Sequence, residues 1–211
     1  VKAQPENENF LSASYKPRQL KSDGNLATVM VSDGSGKSYP AQIVWSKPTP
    51  PGFTSKVQFV ADNMPAGGYK TFYIDMTKPG EFKESIPFEN NTFETDYFKV
   101  KIDPSTGGIT SLYDKRSDKE YVRAGGQLNK LRMYLEDKKG GMKSWTINKI
   151  VKQEDVSNIE SVKIIEAGPV RACIETVLTW GKSRFVERTY IYRSYPRIDF
   201  DLEVHWLETG N

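Results

Sequence analysis

The feature that most constrains the fold is the stretch YFKVKIDPSTGGITSLYDK at residues 97–115. In its first half the apolar residues Phe98, Val100 and Ile102 alternate with charged residues. One face of an extended segment is therefore apolar and the other is charged. This period of two predicts a β-strand that is buried on one side only.

The second half of this stretch carries the signals of a chain reversal. Pro104 supplies no amide hydrogen to a strand ladder, and Gly107 and Gly108 readily take the positive φ angles that a tight turn requires. A second strand is predicted at 109–113, where the loss of strict alternation indicates a β-bulge. The stretch therefore predicts a β-hairpin.

The rest of the chain repeats this pattern of short apolar segments separated by turn residues. Further strands are predicted at residues 10–15, 26–31, 41–45, 56–61, 69–74, 128–135, 145–151, 159–166, 170–180, 184–193 and 198–206. No gap between them shows helical periodicity, which indicates an all-β chain. We interpret residues 1–80 as a small antiparallel β-sandwich, 81–96 as a linker and 97–211 as a larger β-sandwich truncated at its C-terminus.

The last predicted strand has the strictest alternation in the chain. Its apolar residues share one parity and are Ile198, Phe200, Leu202, Val204 and Trp206. We expect this row to lie in a core, where each large side chain contributes roughly 1.5 to 3 kcal/mol on burial. A sheet with so regular a strand near its end usually continues, so we expect the sequence to be part of a longer domain.

Composition excludes several classes of function. Thirty basic and twenty-seven acidic residues are interspersed, so no basic stripe follows a phosphate backbone, and nucleic acid is not an expected partner. No segment approaches the roughly 18 consecutive apolar residues of a membrane span, so no membrane partner is expected either. With one cysteine, Cys173, and one histidine, His205, we expect no zinc site in this chain. We interpret Cys173 as a small buried residue.

The most tempting candidate for catalysis is the row Asp199, Asp201 and Glu203. Side chains two apart on a strand lie about 6.6 to 6.8 Å from each other, a spacing that suits an inverting glycosidase. Glycosidase carboxylates must flank the sugar, however, whereas neighbours on one strand project from one surface. We therefore interpret the row as a polar sheet face that pairs with basic residues of an adjoining strand. Since no nucleophile accompanies His205, we interpret it as a surface residue.

The four tryptophans are candidates for stacking on sugar rings. Trp180 and Trp206 have the parity of core positions, so we expect both to be buried. Trp45 and Trp145 adjoin predicted loops, and either role remains open for them.

Five blocks of the sequence together resemble a known family. In chain order they are PAGGYKTFYI, YFKVKIDPSTGGITSLYDKR, GQLNKLRMYLED, IEAGPVRACIE and YPRIDFDLEVHW. Over residues 64–208 their order and spacing are similar to those of the β-domains that follow the catalytic barrel in glycoside hydrolase family 38 α-mannosidases. Residues 10–75 resemble, more loosely, the small sandwich before the large one. The resemblance implies that the large domain is part of a galactose-mutarotase-like β-supersandwich.

For function, the resemblance implies exo-acting hydrolysis of α-mannosides by a retaining mechanism, with an aspartate nucleophile and a zinc ion. Those groups belong to the family's N-terminal barrel, so no catalytic residue and no metal ligand carries over to this chain. The family segment that resembles residues 129–136 approaches the barrel. Asn129, Arg132, Tyr134 and Trp145 are therefore the candidate substrate-adjacent residues.

On this basis we expect an accessory domain of an α-mannosidase that is inactive alone. It would pack against the catalytic barrel of its parent chain and meet the mannoside substrate through that domain, and an open sheet edge would also allow self-association. The alternative is an independent carbohydrate-binding β-sandwich module that binds glycans through Trp45 or Trp145. A third interpretation is a purely structural β-domain of a secreted enzyme.

Overall fold

The computed structural model describes five parts of the chain, namely residues 29–49, 52–77, 85–137, 139 and 146–209. Only the backbone is described at residues 45–49 and 52–54. No helix occurs among the described residues, and all their sheets are antiparallel, so the predicted all-β class is confirmed. The predicted strand at 10–15 lies outside them. A helix suited by length and hydropathy to crossing a bilayer is accordingly not found in the described parts.

The described residues form sixteen strands: β1 (Met30–Asp33), β2 (Ser38–Tyr39), β3 (Ala41–Thr49), β4 (Gly52–Phe59), β5 (Phe72–Asp75), β6 (Phe88–Glu89), β7 (Thr92–Glu94), β8 (Phe98–Ile102), β9 (Ile109–Asp114), β10 (Lys119–Glu120), β11 (Arg132–Glu136), β12 (Ile150–Asp155), β13 (Asn158–Ala167), β14 (Arg171–Trp180), β15 (Ser183–Tyr192) and β16 (Ile198–His205). The bounds of β8, β9, β13, β14 and β15 agree with the predicted ones to within one residue. The strand predicted at 128–135 begins at Arg132 instead, because Asn129 has a left-handed backbone with a φ of 56°.

The hairpin sheet, with the strand order β10-β9-β8-β7-β6, contains the stretch that most constrains the fold. β8 buries Phe98, Val100 and Ile102 and exposes the lysines between them, as predicted. The predicted bulge lies between Lys101 and Ile102, opposite the start of β9. The apolar face of this hairpin is therefore set by the period of two in its sequence.

The turn between β8 and β9 packs the hairpin sheet closely against β14. Gly107 has a φ of +73°, and a Cβ atom added there would lie 1.9 Å from Oγ1 of Thr176 on β14. Gly108 does not have a positive φ, contrary to the prediction. The side chain of Gln127 occupies the space where a Cβ of Gly108 would lie, so close packing requires a glycine at this position.

The large sheet has the strand order β13-β14-β15-β16 and supplies most of the core. β14 and β15 pair along their full length without a register shift. Their inner face packs on the hairpin sheet in one cluster of buried residues: Ile86, Phe93, Phe98, Val100, Ile102, Ile109, Val122, Ala172, Ile174 and Ile191. A second cluster, Val156, Leu178 and Phe185, continues this core toward β11 and β12.

β16 departs from the prediction that its whole apolar row is buried. Ile198 packs against the core, but the rest of the row, which we call the β16 apolar strip, is about half exposed: Phe200 46%, Leu202 45%, Val204 46% and Trp206 51%. β16 is the outermost strand, and the described layers that cover β14 and β15 stop short of the strip. The prediction of a buried Trp206 is therefore wrong, whereas Trp180 is partly buried and stacks on Trp206 with ring centroids 6.1 Å apart.

Residues 29–77 contribute the sheet β2-β1-β5 and the hairpin β3-β4 around a core of their own. Gln42 links them to the large sheet, because its Oε1 accepts hydrogen bonds from the backbone N–H groups of Val170 at 3.0 Å and Arg171 at 2.9 Å. β6 and β7 fall in the predicted linker and pair in the hairpin sheet. The division of the chain into two domains stays a prediction.

Candidate functional site

A groove with a volume of about 290 Å³ lies where the start of β11 approaches β15 and β16. It brings together three of the four predicted substrate-adjacent residues with parts of the β16 apolar strip. Its lining residues are Asn129, Lys130, Leu131, Arg132, Tyr134, Glu187, Phe200 and Leu202. The fourth predicted residue, Trp145, lies outside the described residues.

Local backbone geometry places the first wall of the groove. The left-handed turn at Asn129 leads into β11, which pairs with β12 so that Arg132 lies opposite Asp155. The Arg132 guanidinium donates from Nε to Oδ1 of Asp155 at 2.9 Å, and Lys130 forms an ion pair with the same carboxylate. These two cations hold the pKa of Asp155 below its ordinary value. Both basic side chains are therefore neutralised in part by β12.

Glu187 forms the floor of the groove and was not predicted from the sequence. It lies on the inner face of β15, opposite Thr176 on β14 and Leu202 on β16. Burial raises the pKa of Glu187 to about 7, while a hydrogen bond donated by Asn129 acts in the opposite direction. Part of the Glu187 population therefore carries a proton near neutral pH.

A charged residue at an inward-facing position was the signal that could have revealed Glu187. On β15 the residues of one parity are Ser183, Phe185, Glu187, Thr189 and Ile191, and the other four are buried. A carboxyl group in such a row faces a core or a cleft, and near-neutral pKa values are typical of that setting.

The second wall of the groove is apolar and exposed. Tyr134 is about half exposed on β11, and Phe200 and Leu202 belong to the β16 apolar strip. An amide, a carboxyl group and a phenol thus surround an apolar surface, an arrangement that can hold a hydroxylated ligand by hydrogen bonds and ring contact. Glu187 is the one carboxylate among the described lining residues, so the groove lacks the carboxylate pair of a glycosidase.

The acidic row on the opposite face of β16 forms ion pairs, as predicted. Arg188 of the adjoining β15 reaches Oε2 of Glu203 at 3.3 Å and Oδ2 of Asp201 at 3.7 Å. Asp199 pairs with Arg197, and His205 contacts Glu203 with 3.0 Å between Nε2 and Oε1. These contacts support the interpretation of the row as a polar sheet face.

The residues that the structure describes do not fit a zinc ion. No group of three or more histidine, cysteine, aspartate or glutamate side chains with metal-binding geometry occurs within the described ranges. Cys173 is fully buried, as predicted, and burial raises its pKa, whereas His205 is exposed on β16. The thiolate that zinc coordinates is therefore strongly disfavoured at Cys173.

Trp180 is not among the described residues that line the groove. The backbone of Trp45 belongs to β3, and its side chain lies outside the described part of the structure. Trp180 takes part in the second core cluster and donates a hydrogen bond from its indole N–H to Glu154 at 3.0 Å. Its role is therefore in packing and in supporting β12.

Comparison with known families agrees with this arrangement. Residues 93–210 match the family description "Glycosyl hydrolases family 38 C-terminal domain", and this range covers more than half of the chain. It contains most of the hairpin sheet, all of the large sheet and every described residue that lines the groove. No curated protein matches the chain. The antiparallel β-architecture and the extent of this match together show that the chain belongs to glycoside hydrolase family 38 and carries its C-terminal domain.

Proposed function

We propose that this chain is an accessory β-domain of a retaining, zinc-dependent α-mannosidase and is inactive alone. It packs against the catalytic barrel of the same parent chain, which supplies the aspartate nucleophile and the zinc ion. The groove bordered by Asn129, Arg132 and Tyr134 faces the mannoside in the assembled enzyme. Membership in the family supports the glycosidase class, and the structure of β16 supports the accessory role.

The observation that carries the proposal is the β16 apolar strip. Four large apolar side chains in a row, each near half exposed, form a continuous apolar surface beside the groove. Contiguous exposed apolar surface of this kind usually marks a protein interaction site. A domain that packs there places the groove at the edge of the contact.

The first test is hydrolysis of an aryl α-mannoside by the 211-residue chain. We expect no turnover above the blank. Turnover would overturn the proposal, and its loss in an Asp199→Asn, Asp201→Asn double variant would place the chemistry on β16.

The second test is binding of this chain to the separately produced catalytic region of its parent. We expect association that Leu202→Asp abolishes, because the substitution places a charge in the strip. Ile164→Asp is the matched control, since Ile164 is equally exposed but lies on β13 at the far edge of the large sheet. Equal loss in both variants, or no association at all, would contradict the accessory role.

A second candidate function is mannoside binding by the isolated chain. The exposed ring of Tyr134 beside the Asn129 amide and the Glu187 carboxyl group favours it. It predicts chemical-shift changes on titration with methyl α-mannoside that disappear in Tyr134→Ala. The control is Tyr121→Ala, which removes a similarly exposed ring outside the groove. Loss of binding only in Trp45→Ala or Trp145→Ala would move the sugar site to those tryptophans.

A further inference from the structure

A second cavity, which we call the polar pocket, adjoins the groove at Lys130, because this residue lines both cavities. The polar pocket has a volume of about 610 Å³, roughly twice that of the groove. Its lining residues include Glu154, Asp155, Ser157, Asn158, Thr179 and Trp180. The two cavities therefore form one surface that is long enough for a ligand larger than the groove alone can hold.

Paired strands and the turn between two of them build the polar pocket. Glu154 and Asp155 lie at the end of β12, where they face β11. Asn158 begins β13, lies opposite Thr179 on β14 and donates a hydrogen bond to the Thr179 hydroxyl group. Every described residue that lines this pocket lies outside β16. The pocket is therefore set by strand pairing within the domain.

Two ionised carboxylates face the polar pocket. Lys152 holds the pKa of Glu154 below its ordinary value, and Lys130 does the same for Asp155. The two carboxylate side chains keep exposures of 36% and 35% despite these ion pairs. A carboxylate accepts hydrogen bonds but donates none, and its two oxygens offer about four acceptor sites. Acceptor sites therefore remain for hydrogen-bond donors of a ligand.

The charges around the polar pocket favour a neutral ligand that is rich in hydroxyl groups. A phosphate or carboxylate ligand would meet the repulsion of Glu154 and Asp155, and a cation would compete with the lysines that already pair with them. Ser157 and Asn158 add a hydroxyl group and an amide, each of which can donate and accept. Sugars present many hydroxyl groups without a charge, so a sugar fits this pocket best.

The groove and the polar pocket differ in how each would hold a sugar unit. The groove offers the exposed ring of Tyr134 beside its apolar wall. In the polar pocket, Trp180 is stacked on Trp206, and its indole N–H donates to Glu154 at 3.0 Å. The groove thus suits contact with the face of a sugar ring, and the polar pocket suits hydrogen bonds to hydroxyl groups. A chain of sugar units that extends past Lys130 would use both.

We propose that the polar pocket is a second sugar subsite, which together with the groove binds an α-linked manno-oligosaccharide of at least two units. One unit contacts Tyr134 in the groove, and the following units hydrogen-bond to Asn158 and the two carboxylates of the polar pocket. The inference rests on the proposed function, in which the groove faces a mannoside. It adds the substrate class, since the parent enzyme would act on oligosaccharides in preference to simple mannosides.

The test is an NMR titration of the isotope-labelled 211-residue chain with methyl α-mannoside, α-mannobiose and α-mannotriose, the last two in their 1→2, 1→3 and 1→6 forms. We expect at least one mannotriose to bind about tenfold or more tightly than methyl α-mannoside. Chemical-shift changes with methyl α-mannoside should stay within the groove, and those with mannotriose should extend to residues 154–158 and 179–181. Cellotriose, a β-linked glucose chain of the same length, is the control and should bind no more tightly than methyl α-mannoside.

Asn158→Ala tests the polar pocket alone. It should weaken binding of mannotriose about threefold to tenfold, because one hydrogen-bonding amide is lost, and leave the affinity for methyl α-mannoside unchanged. The unchanged binding of the monosaccharide also shows that the variant is folded. Asn63→Ala is the matched control and should change neither affinity, since Asn63 is an exposed amide that lines neither cavity.

Four results would overturn the proposal. They are a mannotriose affinity that is absent or equal to that of methyl α-mannoside, shift changes with mannotriose that stay within the groove, binding of cellotriose as tight as that of mannotriose, and an Asn158→Ala variant that weakens both mannosides alike or neither. All four are measured on the isolated chain. Failure of the proposed function would appear instead as turnover by this chain or as absent association with the catalytic region, so the two failures are distinguishable.

Discussion

β8 and β16 have the same sequence pattern and opposite environments. Phe98, Val100 and Ile102 on β8 are 8%, 0% and 5% exposed, whereas the equivalent alternating residues of the β16 apolar strip are near one half exposed. β8 lies in the middle of its sheet and faces the large sheet across the core, while β16 is outermost in its own. Alternation therefore determines that a strand has an apolar face, and the neighbouring layers determine whether that face is buried.

The largest expected effect comes from the same charge placed on both strands. Val100→Asp buries a carboxylate without a partner and should lower the free energy of unfolding by at least about 4 kcal/mol, enough to prevent folding in many domains. Val204→Asp should lower it by less than about 1 kcal/mol, because the residue is half exposed. Urea unfolding followed by tryptophan fluorescence measures both.

A large loss of unfolding free energy in Val204→Asp would contradict this contrast between β8 and β16. It would mean that the strip is covered in solution, either by the rest of this chain or by a second copy. Repeating the measurement at several protein concentrations separates these two explanations, since only a dimer makes the unfolding midpoint concentration-dependent.

The next effect tests how the hairpin sheet is held over β14. Gly107→Ala introduces both an unfavourable positive φ and a clash with Thr176, and should cost about 3 kcal/mol or more. Gly125→Ala is a matched control with a φ of +70° and open space at the Cβ position, and should cost about 1 to 2 kcal/mol. Thermal unfolding distinguishes them. Equal losses of stability in the two variants would show that the turn does not pack closely against β14.

A smaller effect concerns the carboxyl group of Glu187, which lies between the buried part of the large sheet and the half-exposed β16. The pKa of Glu187 is about 7 in the folded chain against an ordinary value of 4.5. The folded state therefore binds more protons between these values, and the contribution of Glu187 to stability falls as pH rises from about 4.5 to 7. Because the side chain is partly exposed and screened by solvent, the fall should be smaller than about 3 kcal/mol. Glu187→Gln should remove this fall.

The measurement for Glu187 is the difference between wild type and Glu187→Gln in the free energy of unfolding at several pH values. Several other carboxyl groups have lowered pKa values, so their contributions change below about pH 4.5 and cancel in the difference. A flat difference between pH 4.5 and 7 would show that Glu187 is solvated, and that the groove is wider in solution.

The smallest effect is expected on the polar face of β16. Glu203 contacts Arg188 and His205, but its side chain is exposed, and exposed ion pairs contribute between 0 and about 1 kcal/mol. Glu203→Gln should therefore change the free energy of unfolding by less than about 1 kcal/mol, and less still in high salt. A greater loss in urea unfolding would mean that a partner covers this face as well as the strip.

Much of the fold could be predicted because its signals are local. The hairpin at residues 97–115 contains its alternation, its proline and its glycines within one short segment, and its bulge followed from parity alone. The burial of Phe200 or Trp206 could not be predicted in this way, since it depends on layers contributed by distant parts of the sequence. Gly108 was misread for the same reason, because Gln127 approaches it from another loop.

The candidate site was predictable only in part. Asn129, Arg132 and Tyr134 lie close together in sequence, so the resemblance of one short segment to the family was enough to predict all three. The structure places them on one groove. Glu187 is more than fifty residues further along and comes from a different sheet. The parity of β15 shows only that Glu187 faces inward; its elevated pKa depends on how deeply the neighbouring strands bury it, which comes from distant parts of the sequence.

Gln42 determines where the chain can be divided. Its side-chain carbonyl accepts hydrogen bonds from two successive backbone N–H groups, at Val170 and Arg171. A fragment that starts after β5 leaves those two donors to water at the point where β14 begins. Residues 29–77 thus cap the first residues of β14 through one side-chain amide, and a shortened version of this domain keeps that cap only if it retains Gln42.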